Sequence, residues 1–265
     1  MMIAGYNHDE LLQEVLVRPR EAHVPYADLR EVVRPGWHQI VTPSFFGGGL
    51  NGVDLAVLDH LDHATADAVI DATIAEYDAL GIRFRWEIGP DSRPRDLAAR
   101  LEARGLTSKR VLLLAAAIAD LDIEAPPDVV VEPVGEHNLA SFVSVVAAGW
   151  GMVPDPLIAY ERAVVAHRST NSTTLHQSFL ATIDGEPAGA ANAVCFPRSL
   201  YLMGAVVLPA HRGRGVYRSL IAARLHLARA RGVGLATSQA LADTSAPILA
   251  RMGFVTVAEQ LSFAR

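Results

Sequence analysis

The chain has 265 residues, of which 51% are hydrophobic and 20% charged, which is typical of a globular protein rather than a disordered one. Its formal net charge of −6 argues against a general nucleic-acid-binding protein, because such a protein needs a concentrated basic surface. The single cysteine, Cys195, excludes an internal disulfide, and no apolar run is long enough for a secretory signal or a membrane span, so we expect a cytoplasmic protein without membrane partners.

The first half of the chain contains a predicted series of alternating strands and helices. In chain order these elements are strand 53–58, helix 66–80, strand 83–88 and helix 97–104. The glycines at 47–49, upstream of this series, would allow close approach to a ligand, but they are more typical of a flexible hairpin connection. The aspartates and histidines at 59–63 are spaced almost sequentially, which favours a polar loop with a helix cap over a metal site. We therefore predict no metal.

A proline-containing linker separates the two halves. Pro126 and Pro127 lack backbone N–H groups and disfavour helix in the residues before them. The sequence therefore predicts two domains, residues 1–124 and residues 128–265.

The second half is predicted to be mixed α/β, or α+β. Its elements are strand 129–131, helices 138–148 and 156–167, hairpin strands 178–183 and 188–195, strand 202–208, a helix after Gly215, strand 235–240, helix 245–251 and strand 255–263. The later part of this order repeats that of the first half, with Gly105 and Gly253 closing corresponding helices. This similarity of order and spacing indicates a pseudo-repeat.

Two glycines and two arginines lie between strand 202–208 and the following helix. The first backbone N–H groups of a helix have no partner within it, so they form a ready site for an anion. Gly213 and Gly215 would allow close approach of a phosphate, and Arg212 and Arg214 would add cationic donors. The alternative is an ordinary turn with solvated arginines. If the loop binds a ligand, its chemistry favours a diphosphate.

This segment resembles the acyl-CoA-binding signature of the GNAT superfamily of N-acetyltransferases, Arg/Gln-x-x-Gly-x-Gly/Ala after a strand that ends in proline. Arg212, Gly215, Pro209 and Leu220 match, whereas Tyr217 replaces a residue that is usually small. Residues 246–254 also resemble the late helix of that family, which closes in Gly-Phe. The resemblance implies a GNAT fold, with a mixed central sheet flanked by helices, in two GNAT-like domains. The first of these would be degenerate, because its corresponding loop is acidic and has no glycines.

The resemblance further implies an acyltransferase that uses acetyl-CoA or another acyl-CoA as co-substrate. Acetyl transfer to an amine of a small molecule or amino acid would proceed by direct attack in a ternary complex. In the family, the strand before the loop binds the pantetheine arm through its backbone, and one N–H group polarises the thioester carbonyl. Carried onto this sequence, the coenzyme-binding residues are Ala205, Val206, Val207, Arg212, Gly213, Arg214, Gly215, Val216, Tyr217 and Ser219.

The catalytic groups are less defined by the resemblance. Many family members use a tyrosine as general acid at the place that Leu249 occupies here, and leucine cannot donate a proton. His176 and Tyr201 are candidates for the acceptor side, the first competing with a surface histidine and the second with an aromatic residue that packs on the sheet. Trp150 is either a wall of the acceptor pocket or a simple packing residue. A non-catalytic acyl-CoA-binding module and a decarboxylase of GNAT fold stay open as alternatives, as does a homodimer.

Overall fold

A computed structural model describes residues 2–45, 47, 49–170 and 173–265. The predicted glycine connection at 47–49 includes Gly48, which lies outside the described residues. The α-helices are α1 (His8–Leu12), α2 (His63–Leu80), α3 (Leu97–Glu102), α4 (Leu139–Trp150), α5 (Pro154–Thr170), α6 (Val216–Ala230) and α7 (Ser245–Arg251). The strands are β1 (Arg30–Arg34), β2 (Trp37–Val41), β3 (Gly52–Ala56), β4 (Arg85–Ile88), β5 (Thr107–Ala117), β6 (Val129–Pro133), β7 (Leu175–Ile183), β8 (Glu186–Cys195), β9 (Ser199–Tyr201), β10 (Ala205–Val207), β11 (Leu235–Leu241) and β12 (Val255–Ala264). No helix in the described part of the chain is both long and apolar enough to cross a membrane.

The described residues form two compact units. The larger unit contains residues 2–25, 113–240 and 244–257, and the smaller unit contains residues 26–112, 241–243 and 258–265. Neither unit is one continuous segment, since the first 25 residues belong with the second half of the chain. The predicted division into residues 1–124 and 128–265 stays a prediction.

The larger unit is built on a mixed sheet with the strand order β5-β11-β9-β8-β7-β6, and β10 also pairs with β8. β9 and β11 are parallel, whereas β6, β7, β8 and β10 are connected by antiparallel pairing. Helices α4 and α6 pack on β8, and α5 packs on β7. The predicted hairpin around 184–187 is confirmed, and Cys195, at the end of β8, is fully buried.

The smaller unit has the strand order β1-β2-β3-β4-β12-β5, of which β3 and β4 are parallel. Its core lies between this sheet and helices α2 and α3, and it includes the edge-to-face pair Trp37 and Trp86 at 5.6 Å between ring centroids. The helix α2 begins after Asp62, whose side chain accepts a hydrogen bond from the Thr65 N–H at 2.8 Å. The predicted helix cap within 59–63 is therefore confirmed.

Candidate functional site

Strand pairing opens beside β10, the short strand that precedes the glycine loop. β9 runs parallel to β11 with Tyr201 opposite Thr237, and the Leu202 N–H donates to the Thr237 carbonyl at 2.8 Å. The chain then leaves β11, and β10 pairs only with β8 within the described residues. The sequence predicted one strand over 202–208, but in the structure β9 ends at Tyr201, residues 202–204 are not in a strand, and only Ala205–Val207 form β10. The free edge of β10 thus faces the gap beside β11.

Backbone groups of β10 point alternately toward β8 and away from it. The Asn192 N–H donates to the Gly204 carbonyl at 3.1 Å, and the Leu208 N–H donates to the Ala188 carbonyl at 2.9 Å. Because an antiparallel ladder alternates with a period of two, Val206 is directed toward β8 as well. The N–H and C=O groups of Ala205 and Val207 are therefore directed to the free edge.

The loop after β10 leads directly into a helix N-terminus. A short 3-10 turn at Pro209–His211 is followed by exposed residues up to Gly213, which has φ 76°. Gly215 has φ 79° and precedes α6, and no side chain caps this helix end. The first N–H groups of α6 have no partner inside the helix, and they lie next to two arginines. This is a favourable place for a phosphate group.

Gly215 is also required by its packing. A Cβ atom at this position would lie 2.3 Å from Cγ of Pro126, in the predicted linker, which is far too close for two carbon atoms. A Cβ atom at Gly213 would meet nothing within 4 Å. The two glycines of the loop therefore differ: both have a positive φ, but only Gly215 has a neighbour that excludes a side chain.

The loop arginines are accessible. Arg212 is exposed, and the half-exposed Arg214 lies 3.5 Å from an oxygen of Asp128 and 4.0 Å from one of Asp184. Ion pairs this long and this exposed contribute little to stability. Arg214 can therefore turn toward an anionic ligand at low cost.

Ser219 and Tyr217 lie at the first turn of α6. The buried Ser219 hydroxyl donates to the Gly215 carbonyl at 3.3 Å, within the first turn of the helix. Tyr217 is half-buried, and burial raises the pKa of its phenol, although the nearby Arg224 guanidinium opposes that shift. Val216 is buried, and its side chain lies against Gly189 of β8. Of the predicted coenzyme residues, Val216 and Ser219 can thus act only through backbone groups or positioning.

The two predicted catalytic candidates occupy different surroundings. His176 on β7 is 4% exposed, and burial lowers its pKa to about 4, aided by His167, His23 and Arg168. Its imidazole is therefore neutral at neutral pH. Tyr201 is half-buried at the end of β9 and packs against a small apolar cluster around Val194. Leu249 is fully buried in α7.

A narrow pocket lies on the α5 side of the sheet and contains a carboxylate that sequence reasoning missed. Its cavity volume is only about 10 Å³, room for one water molecule at most, and it is lined by Tyr160, Glu161, Val164, His176, Gln177, Ser178, Asn192, Ala193 and Met203. Glu161 is 4% exposed, and burial raises its pKa to about 7, against a hydrogen bond from Ser178 and the charge of Arg168. A signal was present in the sequence, because Glu161 lies on the same helix face as the buried residues Leu157 and Val164.

The N-terminal segment adjoins this pocket within the larger unit. Tyr160 hydrogen-bonds the backbone of Val24, and His23 lies close enough to His176 to lower its pKa. Earlier in the segment, Glu14 accepts a hydrogen bond from Ser199 at the start of β9. Nothing in the sequence of residues 2–25 indicated this placement.

Trp150 lies over the break between β9 and β10. Its ring approaches Gly204 so closely that a Cβ atom there would be 2.9 Å from the indole, yet the side chain is 44% exposed. The preceding Gly149 lets α4 lie against Val206, since a Cβ atom on Gly149 would be 2.0 Å from that side chain. Trp150 thus flanks the free edge of β10, where the predicted acceptor wall would be. No group of three or more His, Cys, Asp or Glu side chains in the described ranges is arranged to hold a metal ion.

Comparison with known proteins gives a family match for part of the chain. Residues 149–254 match the model of the acetyltransferase (GNAT) family. This range contains β10, the glycine loop, the pocket on α5 and the Gly253-Phe254 motif. No curated protein sequence matches the chain.

Solved structures resemble nearly the whole chain. A functionally unknown conserved protein from Staphylococcus epidermidis is similar with a TM-score of 0.66 at 12% identity, over 91% of this chain and 95% of that one. A GCN5-related N-acetyltransferase from Kribbella flavida has a TM-score of 0.61 at 18% identity, over 96% and 93%. A tandem GNAT protein from the clavulanic acid biosynthesis pathway has a TM-score of 0.61 at 13% identity, also over 96% and 93%. At these identities the similarity is one of fold.

Proposed function

Because residues 149–254 form a domain of the acetyltransferase (GNAT) family, in a chain with the fold of tandem GNAT proteins, we propose that this chain transfers an acyl group from acyl-CoA to an amine. The acyl donor that we propose is acetyl-CoA, and the acceptor is the amine of a small molecule. Transfer takes place by direct attack of the amine on the thioester in a ternary complex. The observation that carries the proposal is the free edge of β10 leading into the uncapped N-terminus of α6.

The loop and the helix end bind the diphosphate of the coenzyme. Backbone N–H groups of Gly213, Gly215 and Tyr217 supply neutral donors, and the side chains of Arg212 and Arg214 supply positive charge. Such a site recognises the phosphates without contacting the acyl group. It therefore sets the position of the thioester rather than the choice of acceptor.

The free edge of β10 binds the pantetheine arm. Ala205 and Val207 direct their N–H and C=O groups to this edge, so they can pair with the amides of the arm as a further strand would. Val206 is directed toward β8, so the proposal keeps it as a packing residue and not as a hydrogen-bonding one. A β10 N–H group that reaches the thioester carbonyl stabilises the oxyanion as the amine attacks.

Protonation of the leaving thiolate does not require a tyrosine at position 249. The pKa of a thiol is ordinarily near 8.5, so the thiolate is a good leaving group near neutral pH. The nitrogen of the tetrahedral intermediate carries a surplus proton, which the thiolate can take directly or through water. Leu249, fully buried, then acts only as a core residue.

Acetyl-CoA binding measured by calorimetry tests the proposal. We expect one-to-one binding to the full chain, weakened at least about tenfold, or about 1.4 kcal/mol, by Arg214→Glu, which places a third carboxylate beside Asp128 and Asp184. Asp59→Arg, in the corresponding exposed loop of the smaller unit, is the matched charge reversal and should leave the dissociation constant unchanged. No binding to the wild-type chain, or equal binding by the Arg214→Glu variant, would contradict the phosphate-loop assignment.

A further inference from the structure

The break between β9 and β10 is a β-bulge opposite β8. Between two paired positions, residues 192–193 of β8 lie opposite residues 202–204, so the second side has one residue more. An extra residue of this kind interrupts the ladder and leaves backbone groups without partners in the opposite strand. In the interior of a protein, such groups need a hydrogen-bond partner from elsewhere.

The carbonyl of Asn192 is the group that this bulge leaves without a strand partner. The Asn192 N–H donates to the carbonyls of Met203 and Gly204, both at 3.1 Å. In a regular antiparallel ladder, the Asn192 carbonyl would accept from one of the N–H groups opposite it. The Met203 N–H donates instead to the Tyr201 carbonyl at 3.0 Å. No bond from the Gly204 N–H to the Asn192 carbonyl occurs in the described ranges.

Arg224 of α6 supplies the missing donor. Its Nη1 donates to the Asn192 carbonyl at 3.2 Å, and its Nε donates to the Leu220 carbonyl at 2.9 Å. Arg224 is 1% exposed, and no carboxylate pairs with it among the residues that the structure describes. A guanidinium can replace a strand N–H at this point, because its charge strengthens the hydrogen bond to a carbonyl.

The burial of this charge is costly, which indicates a role beyond packing. Burial lowers the pKa of Arg224 to about 10, against the effect of the Tyr217 phenol, so the guanidinium stays protonated at neutral pH. A buried cation without a counter-ion costs free energy that an apolar side chain would not. Helix α6 already packs on β8 through apolar residues such as Leu220 and Ile221, so packing alone does not require an arginine.

We propose that Arg224 is a positioning residue for the coenzyme: by pairing the Asn192 carbonyl, it fixes the bulge and thereby the free edge of β10. This inference rests on the proposed function, in which that edge binds the pantetheine arm. Ala205, whose N–H and C=O groups are directed to the edge, follows Gly204 directly. The conformation of Gly204, which has φ 48°, therefore sets the direction of these groups. Arg224 acts through the backbone and does not itself contact the coenzyme.

A different pairing becomes favourable when Arg224 is removed. The Asn192 carbonyl would be left beside the buried face of α6 without a partner, which is costly. The Gly204 N–H is the donor that continues the β8–β10 ladder toward this carbonyl. Formation of that bond would extend β10 by one residue and move Gly204 from its left-handed conformation to an extended one. The groups of Ala205 would then no longer be directed to the gap beside β11.

Binding of two ligands to the full chain separates this role from a general loss of structure. Acetyl-CoA reaches the β10 edge, whereas phosphoadenosine diphosphate, the coenzyme without its pantetheine arm, reaches only the loop and the start of α6. Arg224→Met keeps an unbranched side chain and lacks the donors, so we expect it to weaken acetyl-CoA binding at least about tenfold. The dissociation constant of phosphoadenosine diphosphate should stay unchanged, which also shows that the variant is folded. Arg224→Lys restores a cation and a donor and should recover part of the acetyl-CoA affinity.

Hydrogen exchange of the Gly204 amide reports directly on the bulge. Gly204 is exposed, and its N–H donates to no backbone carbonyl in the described part of the chain, so we expect rapid exchange in the wild type. In Arg224→Met, a new bond to the Asn192 carbonyl should slow this exchange. An unchanged exchange rate in the variant would overturn the rearrangement of the bulge.

Arg229→Met is the matched control. Arg229 lies in the last turn of the same helix and also donates to two backbone carbonyls, those of Ile118 at 3.2 Å and Leu121 at 2.8 Å. These carbonyls belong to the segment after β5 and not to the bulge. The control variant should leave both dissociation constants and the exchange of the Gly204 amide unchanged.

The positioning role and the proposed function can fail separately. Equal acetyl-CoA binding by the wild-type chain and Arg224→Met would overturn the positioning role, as would an Arg224→Lys variant that binds no better than Arg224→Met. Loss of both ligands in Arg224→Met, with Arg229→Met intact, would show that Arg224 supports the whole unit and would overturn it too. Absence of acetyl-CoA binding by the wild-type chain would instead overturn the acyltransferase proposal, and the exchange of Gly204 would still test the effect of Arg224 on the bulge.

Discussion

Both units contain a strand, a loop and a helix in the same order, but the backbone pairing at the end of the strand differs between them. In the smaller unit, β3 runs parallel to β4 and leads into α2; in the larger unit, β9 runs parallel to β11, and β10 leads into α6. Beyond the ladder of the smaller unit the backbone remains paired, since the Leu58 N–H donates to the Arg93 carbonyl and the Arg93 N–H to the Ala56 carbonyl, both at 2.9 Å. In the larger unit the chain leaves β11 after Leu202. Topology alone therefore does not leave a strand edge unpaired; the local loss of pairing does.

The N-terminal ends of α2 and α6 also differ: the first is capped and the second is not. Asp62 caps α2 and occupies the Thr65 N–H, so it adds a negative charge where an anionic ligand would have to bind. Gly215 precedes α6 without a side-chain cap and has arginines before it. At the start of α2, a side chain of the chain itself accepts a hydrogen bond from a backbone N–H group. At the start of α6, no side chain does so, and the N–H groups are available to an external anion. This difference favours the proposed coenzyme site in the larger unit over one at the start of α2.

The largest effect is expected from a side chain at the uncapped helix end. Gly215→Ala forces a Cβ atom against Pro126 at a positive φ, so we expect a loss of about 1–3 kcal/mol of unfolding free energy and loss of acetyl-CoA binding. Gly213→Ala is the matched variant with free space and should cost only the strain of the left-handed conformation, about 1–2 kcal/mol. Urea unfolding and calorimetry measure both quantities. Equal destabilisation by the two variants would remove the packing argument.

A smaller effect is expected from the buried carboxylate of the smaller unit. Burial raises the pKa of Glu87 to about 7, against the charge of Arg85 and the hydrogen bond from Ser262, while Asp54 adds to the rise. Gln260 donates to the same carboxylate at 3.1 Å. Because the folded pKa lies above the unfolded value of about 4.3, the folded state binds the proton more tightly, and stability falls as pH rises from about 4.3 to 7.

Glu87→Gln should remove that fall. We expect the variant to be more stable than the wild-type chain at pH 8, by on the order of 1 kcal/mol, and to lose this advantage at pH 5. Urea midpoints at the two pH values provide the measurement. A wild-type stability that rises between pH 5 and pH 8 in a manner dependent on Glu87 would show that its pKa is lowered instead.

The smallest effect is expected at the capped helix end. Asp62→Ala removes the cap of α2 and should lower the urea midpoint modestly, with acetyl-CoA binding unchanged. The hydrogen bond from the Thr65 backbone holds the pKa of Asp62 below its usual range, so its contribution is present above the unfolded pKa and is lost as pH falls through the folded one. Asp59→Ala, three residues earlier and exposed, serves as control. An Asp62→Ala variant that gains acetyl-CoA affinity would instead reveal a second, latent anion site.

Much of the larger unit was predictable because its signals are local. Helix 138–148, the 184–187 hairpin and the helix after Gly215 follow from periodicity and turn residues, and each is present in the structure. The GNAT resemblance, predicted from the Arg212–Tyr217 region and from Gly253-Phe254, is confirmed by the family match of residues 149–254 and by the fold of the solved structures. The coenzyme and catalytic roles of individual residues stay predictions.

The burial of Glu161 was not predictable from the sequence. As a single glutamate in helix 156–167 it resembles any surface residue, and only its position on the apolar helix face distinguishes it. Its burial depends on β7, β8 and the N-terminal segment, which approach it from distant parts of the chain. The candidacy of His176 for the acceptor side stays a prediction, and its neutral state likewise follows from distant neighbours.

The sequence by itself determined the glycine loop, the helix that follows it and the GNAT match of residues 149–254, because these depend on residues adjacent in the chain. The conformations that Gly213 and Gly215 adopt and the uncapped start of α6 are consequences of local backbone chemistry. Only the tertiary structure decided that β10 leaves β11, that residues 2–25 join the larger unit, and that Glu161 is withdrawn from water. Strand pairing and desolvation are properties of segments far apart in sequence, so a linear pattern does not encode them in any one place.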